Sequence, residues 1–206
     1  MKLYYSQNLN PRVAVAVARY LDARVEYVAA SPMHPDHQDA FRPINPNTRV
    51  PVLTTDARTY WEADAIACKL SALAGSDFWR TGDSQAEMIM WISWATHHLN
   101  RAGDVFYFWK LIAPTFMDFQ PEQQVFDDAL RDWMQFMGIL DAELQGRTWL
   151  VDDRLSYADF RVATCFPFAK AAGLPLADYP HVQRLANQLN QLNQIEAWRD
   201  PFAGLS

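Results

Sequence analysis

The rhythm of apolar and polar positions changes twice along the chain. Lys2-Leu3-Tyr4-Tyr5 reads as a short strand, and Ser6 to Asn10 is a polar loop. Asn10-Pro11 then reads as an N-cap followed by the first helical position. The next stretch, Val13-Ala14-Val15-Ala16-Val17, alternates strictly, as a strand would. Its apolar residues also fit a helix, because Val13, Ala16, Val17, Tyr20 and Leu21 fall at i, i+3, i+4, i+7 and i+8. The cap pair and the alanines decide for helix. Residues 25–28 make a second strand and complete a βαβ unit. Residues 31–46 are rich in Pro and His, with one short irregular helix expected near 36–41. Val52–Thr54 and Thr59–Trp61 read as a hairpin, and 63–74 as a helix with Ile66, Leu70 and Leu73 on one face.

Gly75 to Asp83 breaks the pattern, and beyond it every periodic segment is helical. Residues 1–75 therefore read as one small α/β domain, 76–83 as a linker and 84–206 as an all-helical domain. Ser84-Gln85-Ala86-Glu87 has the form of a capping box, opening a helix that is expected to run to about Arg101. That helix carries two stripes, Met88-Trp91-Ala95-Leu99 and Met90-Trp94-His97-Arg101, which predicts burial on two sides. Pro121 opens another long helix, in which Phe126, Leu130, Trp133, Met137, Leu140 and Leu144 keep a bundle seam. Ser156-Tyr157-Ala158-Asp159 is a second capping-box start. Pro167 is expected to kink or end that helix, Pro180 to start another, and a last short one to reach Trp198.

Composition narrows the function classes. Half of the 206 residues are hydrophobic and 14% are aromatic, ample for a buried core. A net charge of −6 argues against nucleic-acid binding, which needs a basic face. Cys68 and Cys165 stand alone and outside any CxxC, so neither a disulfide framework nor a zinc site is expected, and both read as packed thiols. The opening residues lack a signal-peptide layout, and no run approaches the ~20 apolar residues of a membrane span. The expectation is a soluble, cytoplasmic protein without metal.

The most informative stretch is Asn45-Pro46-Asn47-Thr48-Arg49-Val50-Pro51-Val52-Leu53. A proline belongs at a strand's first residue or edge, and it forces the residue before it to be extended. The Val50 N–H and C=O are thus left beside the strand, where an extended peptide can add to them. Ahead of the next helix stands Glu62-Ala63-Asp64-Ala65-Ile66.

These two segments, together with Trp149-Leu150 and Leu155-Ser156-Tyr157-Ala158-Asp159-Phe160, resemble the cytosolic glutathione transferases over essentially the whole chain. The resemblance implies a thioredoxin-like N-terminal domain, α/β in class, followed by an all-helical C-terminal bundle, in a homodimer. It also implies a cis bond before Pro51, with Val50 pairing with the cysteinyl backbone of glutathione. Glu62 matches the acidic residue at the γ-glutamyl end. The serine that follows it in the family is Ala63 here, which keeps the backbone N–H and loses the hydroxyl. Arg49 matches a basic position near the glycine carboxylate, and His34, His37 and Gln38 lie in the loop lining that end. The chemistry agrees, since an α-amino group wants a carboxylate and an α-carboxylate wants the N–H groups of a helix N-terminus.

Thiol activation is the part the resemblance does not supply. A thiol has a pKa of about 8.5, and lowering it by roughly two units takes about 2.7 kcal/mol. A helix N-terminus gives about 0.3–1 kcal/mol, up to ~2 when partly buried, so a directed donor is needed. The family's Ser or Cys position falls on Gln7 or Asn8. Asn8 is the favoured donor, with Asn10, Ser6 and Tyr5 behind it, although capping is the commoner role for Asn10. The opening Met1 to Ser6 resembles the bacterial beta class without its cysteine. The second-substrate pocket is expected between the domains, lined by Phe106, Tyr107 and Trp109, with His97 and His98 contributing, and suited to a small apolar or aromatic electrophile. The plainer reading makes the aromatic run core and the histidines ordinary helix residues.

Overall fold

The computed structural model describes residues 1–192 and 195–205, and for residues 195 and 196 the backbone alone. The described residues form two compact units, Met1–Trp79 with Asn190–Ser206 and Arg80–Leu189.

The first unit is a four-stranded sheet in the order β2-β1-β3-β4 with helices packed on it. Its elements are β1 (Lys2–Tyr5), α1 (Leu9–Tyr20), β2 (Glu26–Ala29), α2 (Pro35–Phe41), β3 (Val52–Thr54), β4 (Thr59–Trp61) and α3 (Ala63–Leu73). β1 runs parallel to β2 and antiparallel to β3, and β3 is antiparallel to β4. The alternating valines and alanines do form a helix, and every residue from Val13 to Ala18 is fully buried. A helix that is apolar all round is an interior helix, which explains why strand and helix periods fit it equally well. α1 packs against α3 and against α10 (Ile195–Trp198), so the described residues from Asn190 onward belong to this unit.

The second unit is helical throughout. α4 (Ser84–Trp94) passes through a π turn, Ala95–Leu99, into α5 (Asn100–Tyr107), and a second π turn, Phe108–Ile112, continues it. Next come α6 (Gln123–Glu143), α7 (Tyr157–Val162), α8 (Phe166–Ala172) and α9 (Pro180–Asn190). Trp133, Met137, Leu140 and Leu144 of the α6 seam are fully buried. Gly103 leaves no room for a side chain, for a Cβ there would lie 2.7 Å from the Trp133 ring and 2.8 Å from the Cys165 sulfur.

Several local expectations change. α1 starts at Leu9 with Asn8 as N-cap, two residues before the expected Asn10-Pro11 start. Pro11 sits within the first turn, where its missing N–H is one of the donors the helix leaves unpaired anyway. Ser84 does not form a capping box. Its hydroxyl donates to Asp152 at 2.8 Å, and Glu87 meets Arg147 instead. The helix opened by Ser84 does not stop near Arg101 but continues through the two π turns to Ile112. Only its first stripe is buried. Met90 is 54% exposed, and His97 and Arg101 lie at the surface.

The Ser156 start is a true capping box. Pro167 lies in the first turn of α8, after α7 has ended at Val162.

Candidate functional site

Strand register brings the candidate segments to one end of the sheet. Tyr4 pairs with Val52, and Val52 pairs with Trp61. One step further along each strand lie Tyr5 and Ser6, then Pro51 and Val50, then Glu62 and Ala63. Three chain segments far apart in sequence thus stand side by side at the edge where β1 ends, β3 begins and β4 ends. The two packed helices α1 and α3 both begin at this edge, at Leu9 and Ala63. Their N-terminal dipole ends and first-turn N–H groups therefore face the same end of the sheet, a setting that favours anions.

The middle segment is built to stay in place with its edge open. The Val50–Pro51 bond is cis. Among the described residues the Val50 N–H and C=O have no hydrogen-bond partner. The turn before it is held by Asn45, which is 2% exposed. The Asn45 amide donates to the Arg49 carbonyl at 2.9 Å, and its oxygen accepts the Asn47 N–H at 3.0 Å. Thr48 closes the turn with φ of 49°. Arg49 itself is exposed, with its guanidinium against the Met33 thioether.

Glu62 has the most unusual backbone of the site, with φ 72° and ψ 131°. That is positive φ outside the left-handed helical basin, which side-chain-bearing residues rarely occupy, and it costs of order 1–3 kcal/mol. Its carboxylate does not cap α3, is exposed and has no hydrogen-bond or ion-pair partner among the described residues. Ala63 behind it is buried, so at that position only its backbone is offered.

In the first segment, Asn8 is exposed and its side chain does not cap α1. Its amide donates to the Ser6 hydroxyl at 3.2 Å, and its N–H donates to the Ser6 carbonyl at 2.9 Å. Asn10 is exposed on the first turn of the helix. Tyr5 differs from the other three candidates. It is 3% exposed, with its ring stacked on Phe202 and edge-on to Tyr27, which makes it a packing residue.

His37 is exposed on α2, its Nδ1 3.2 Å from the Ser31 carbonyl. It lines an open cavity of about 450 Å³ with Pro32, Phe41 and Ile44. His34 caps α2, and Gln38 donates to the Met33 carbonyl, so both serve the loop's own structure.

The residues expected around a second substrate all lie in the helical unit. Phe106 is buried edge-on to Phe126, and Tyr107 is buried against Phe168. Burial, with Asp104 and Cys165 nearby, pushes the Tyr107 hydroxyl up to about 12. Trp109 is half-buried between Phe108 and Phe119, and His98 is exposed beside Phe136. Burial raises the pKa of Cys68 and Cys165 alike, so neither is a ready thiolate. Among the described residues no group of His, Cys, Asp or Glu is arranged to hold a metal, and no helix is long and apolar enough to cross a membrane.

Two family models match this chain. That of the glutathione S-transferase N-terminal domain covers residues 14–73, and that of the C-terminal domain covers residues 106–193. The chain belongs to the glutathione S-transferase family. Its fold is the one that family defines, a small thioredoxin-like sheet domain followed by a helical domain. Among solved structures it is similar to maize glutathione S-transferase I in complex with an atrazine glutathione conjugate, at 21% identity and a TM-score of 0.87, covering 100% of this chain and 99% of that one. It is also similar to apo human glutathione-S-transferase T1-1, at 21% identity and a TM-score of 0.87, covering 98% of this chain and 87% of that one. Ure2p in complex with glutathione is a third, at 18% identity and a TM-score of 0.81, covering 95% and 97%. At these identities the likeness is one of fold. By sequence the chain is similar to elongation factor 1-gamma of Sus scrofa, 28% identical over 165 residues, which is 77% of this chain and 36% of that protein. It spans about a third of the length of the curated relatives it matches.

Proposed function

We propose that this chain binds glutathione along the sheet end formed by Ser6–Asn8, Val50–Pro51 and Glu62–Ala63, and conjugates it to a small apolar or aromatic electrophile. The observation that carries this reading is the coincidence at one sheet end of an unpaired backbone edge, an unpartnered carboxylate and two helix N-termini. Val50 offers N–H and C=O to the cysteinyl backbone. Glu62 takes the α-amino group, and the Ala63 N–H with the first turn of α3 takes the α-carboxylate. Arg49 and His37 take the glycine carboxylate. The Asn8 amide donates to the sulfur as it ionises, aided by the α1 N-terminus, with Ser6 and Asn10 next to it. The thiolate then attacks an electrophilic carbon, the leaving group departs with its electron pair, and the thiol proton passes to solvent. Phe106, Tyr107, Trp109 and His98 are the residues proposed to shape the second-substrate pocket. A cytoplasmic homodimer completes the reading, with the exposed Ile89 and Met90 of α4 in its interface.

A second reading is a glutathione-binding protein with little turnover, or one performing a peroxidase, isomerase or lyase step. Ala63 favours it, because the hydroxyl next to the γ-glutamyl end is gone. So does the similarity to a protein named as an elongation factor rather than a transferase. Retention on immobilised glutathione followed by turnover of an aromatic halide or a peroxide separates the readings. The first predicts both retention and halide turnover, and Asn8→Ala is expected to raise the bound-thiol pKa by about one unit or more. An unchanged thiol pKa in that variant sinks the Asn8 role.

A further inference from the structure

We propose that the segment from Trp198 to Ala203 braces the Ser6–Asn8 loop, and that Arg12, Arg19 and Phe202 are the positioning residues through which it acts. The inference rests on the proposed function only in taking that loop as the place where the thiol is received.

Arg12 lies in the first turn of α1 and is 4% exposed. Desolvation pulls its pKa down to about 10, with Asp200 acting in the opposite direction. Its guanidinium donates to the Trp198 carbonyl and lies over the Trp198 ring, 4.8 Å from the centroid. Its own backbone N–H donates to the Asn8 carbonyl at 2.8 Å. The residue that closes the first turn onto Asn8 is therefore tied to a residue 186 positions away.

Seven residues on, and so on the same face of α1, the Arg19 guanidinium donates to the Pro201 carbonyl at 3.1 Å and to the Ala203 carbonyl. Between those two acceptors stands Phe202, whose ring stacks on Tyr5 at 5.6 Å and 20°. Tyr5 is the last residue of β1 and immediately precedes Ser6. The loop is thus held at both flanks, at Tyr5 and at Arg12, by one short segment. Mere burial does not call for a guanidinium here. An apolar side chain would fill the space without the desolvation cost, whereas a planar fork of donors fixes direction and distance.

The test uses Phe202→Ala, which changes a half-buried ring and leaves the Arg12 contacts intact. Hydrogen exchange of the peptide covering residues 6–13 is expected to speed up by roughly tenfold or more, while the amides of α6 exchange as in the parent. Affinity for glutathione is expected to fall several-fold, with the bound-thiol pKa raised, and Phe202→Tyr is expected to restore both. Unchanged exchange over residues 6–13 overturns the brace. So does an equal rise throughout residues 1–79, which marks a general loss of stability. A loop that loosens while Asn8→Ala leaves the thiol pKa unchanged keeps the brace and removes the Asn8 role. A loop that stays rigid while Asn8→Ala raises the thiol pKa does the reverse.

Discussion

Among the acidic residues at helix starts, the fold treats Asp159 and Glu62 in opposite ways. Asp159, in the first turn of α7, is fully buried. It accepts the Leu150 N–H at 3.0 Å, the Ser156 N–H at 2.8 Å and the Ser156 hydroxyl at 3.1 Å. Glu62, at the start of α3, is exposed, its carboxylate has no partner among the described residues, and its backbone is held at φ 72°. Both oxygens of the first carboxylate are engaged by donors from the chain itself. The second keeps both of its own open on a strained backbone, which is the condition of a group waiting for something from outside. The contrast separates a carboxylate that makes the fold from one that the proposed function assigns to a ligand.

The contrast breaks most visibly at Asp159. Asp159→Ala leaves buried donors at Leu150 and Ser156 without an acceptor, each costing about 1–3 kcal/mol. A loss of roughly 3–5 kcal/mol at neutral pH is expected, read as a fall in the denaturant midpoint. Glu62→Gln is expected to stay within about 0.5 kcal/mol of the parent in the same measurement. A comparable loss at Glu62 would erase the distinction.

A second effect comes from pH. Burial outweighs the hydrogen bonds and pushes Asp159 up to about 6, against about 3.9 in an unfolded chain. The folded state therefore holds a proton that the unfolded state has lost between pH 4 and 6. Its contribution to stability is full below pH 4, falls through that window and is flat above it. The parent minus Asp159→Asn difference in unfolding free energy is expected to drop by about 3 kcal/mol from pH 4 to pH 7. Asp128 and Asp153, with pKa values lowered by hydrogen bonds, act in the opposite direction but are common to both proteins and cancel.

The smallest effect is the most specific. Glycine adopts the Glu62 conformation without steric cost, so Glu62→Gly is expected to gain up to about 1 kcal/mol of stability while losing glutathione affinity. Thermal melts and titration calorimetry on one preparation read both. A variant that loses stability would show that the φ of Glu62 is not a cost borne for function.

Much of this was legible in the residues. The hairpin ahead of α3, the Val50-Pro51 edge and the Ser156–Asp159 box follow from turn residues and local spacing, and local signals read well when the partner is a few residues away. The misses share the opposite property. Ser84 had the spacing of a capping box, but Asp152, 68 positions on, competes for its hydroxyl. Asn8 and Asn10 are equally good caps, and a proline suits more than one place in a first turn, so the helix start was ambiguous by two residues. Nothing in a side-chain pattern announces a positive φ at a glutamate, because the conformation is imposed by the strand before it and the helix after it. The Arg12–Trp198 contact spans nearly the whole chain and has no local signature at either end. The exposed stripe of α4 could not be told from a buried one, because periodicity gives the face and not what covers it.

The central claim is that Glu62 is held open for the α-amino group of glutathione, and a binding cycle addresses it most directly. Calorimetric affinities would be measured for glutathione and for its analogue lacking that amino group, each with the parent protein and with Glu62→Gln. A charge-assisted hydrogen bond contributes about 1.5–3 kcal/mol, so the parent is expected to prefer glutathione by roughly ten- to a hundredfold, and the variant to bind the two alike. Equal binding of both ligands by the parent, or a preference that survives in the variant, would contradict the account.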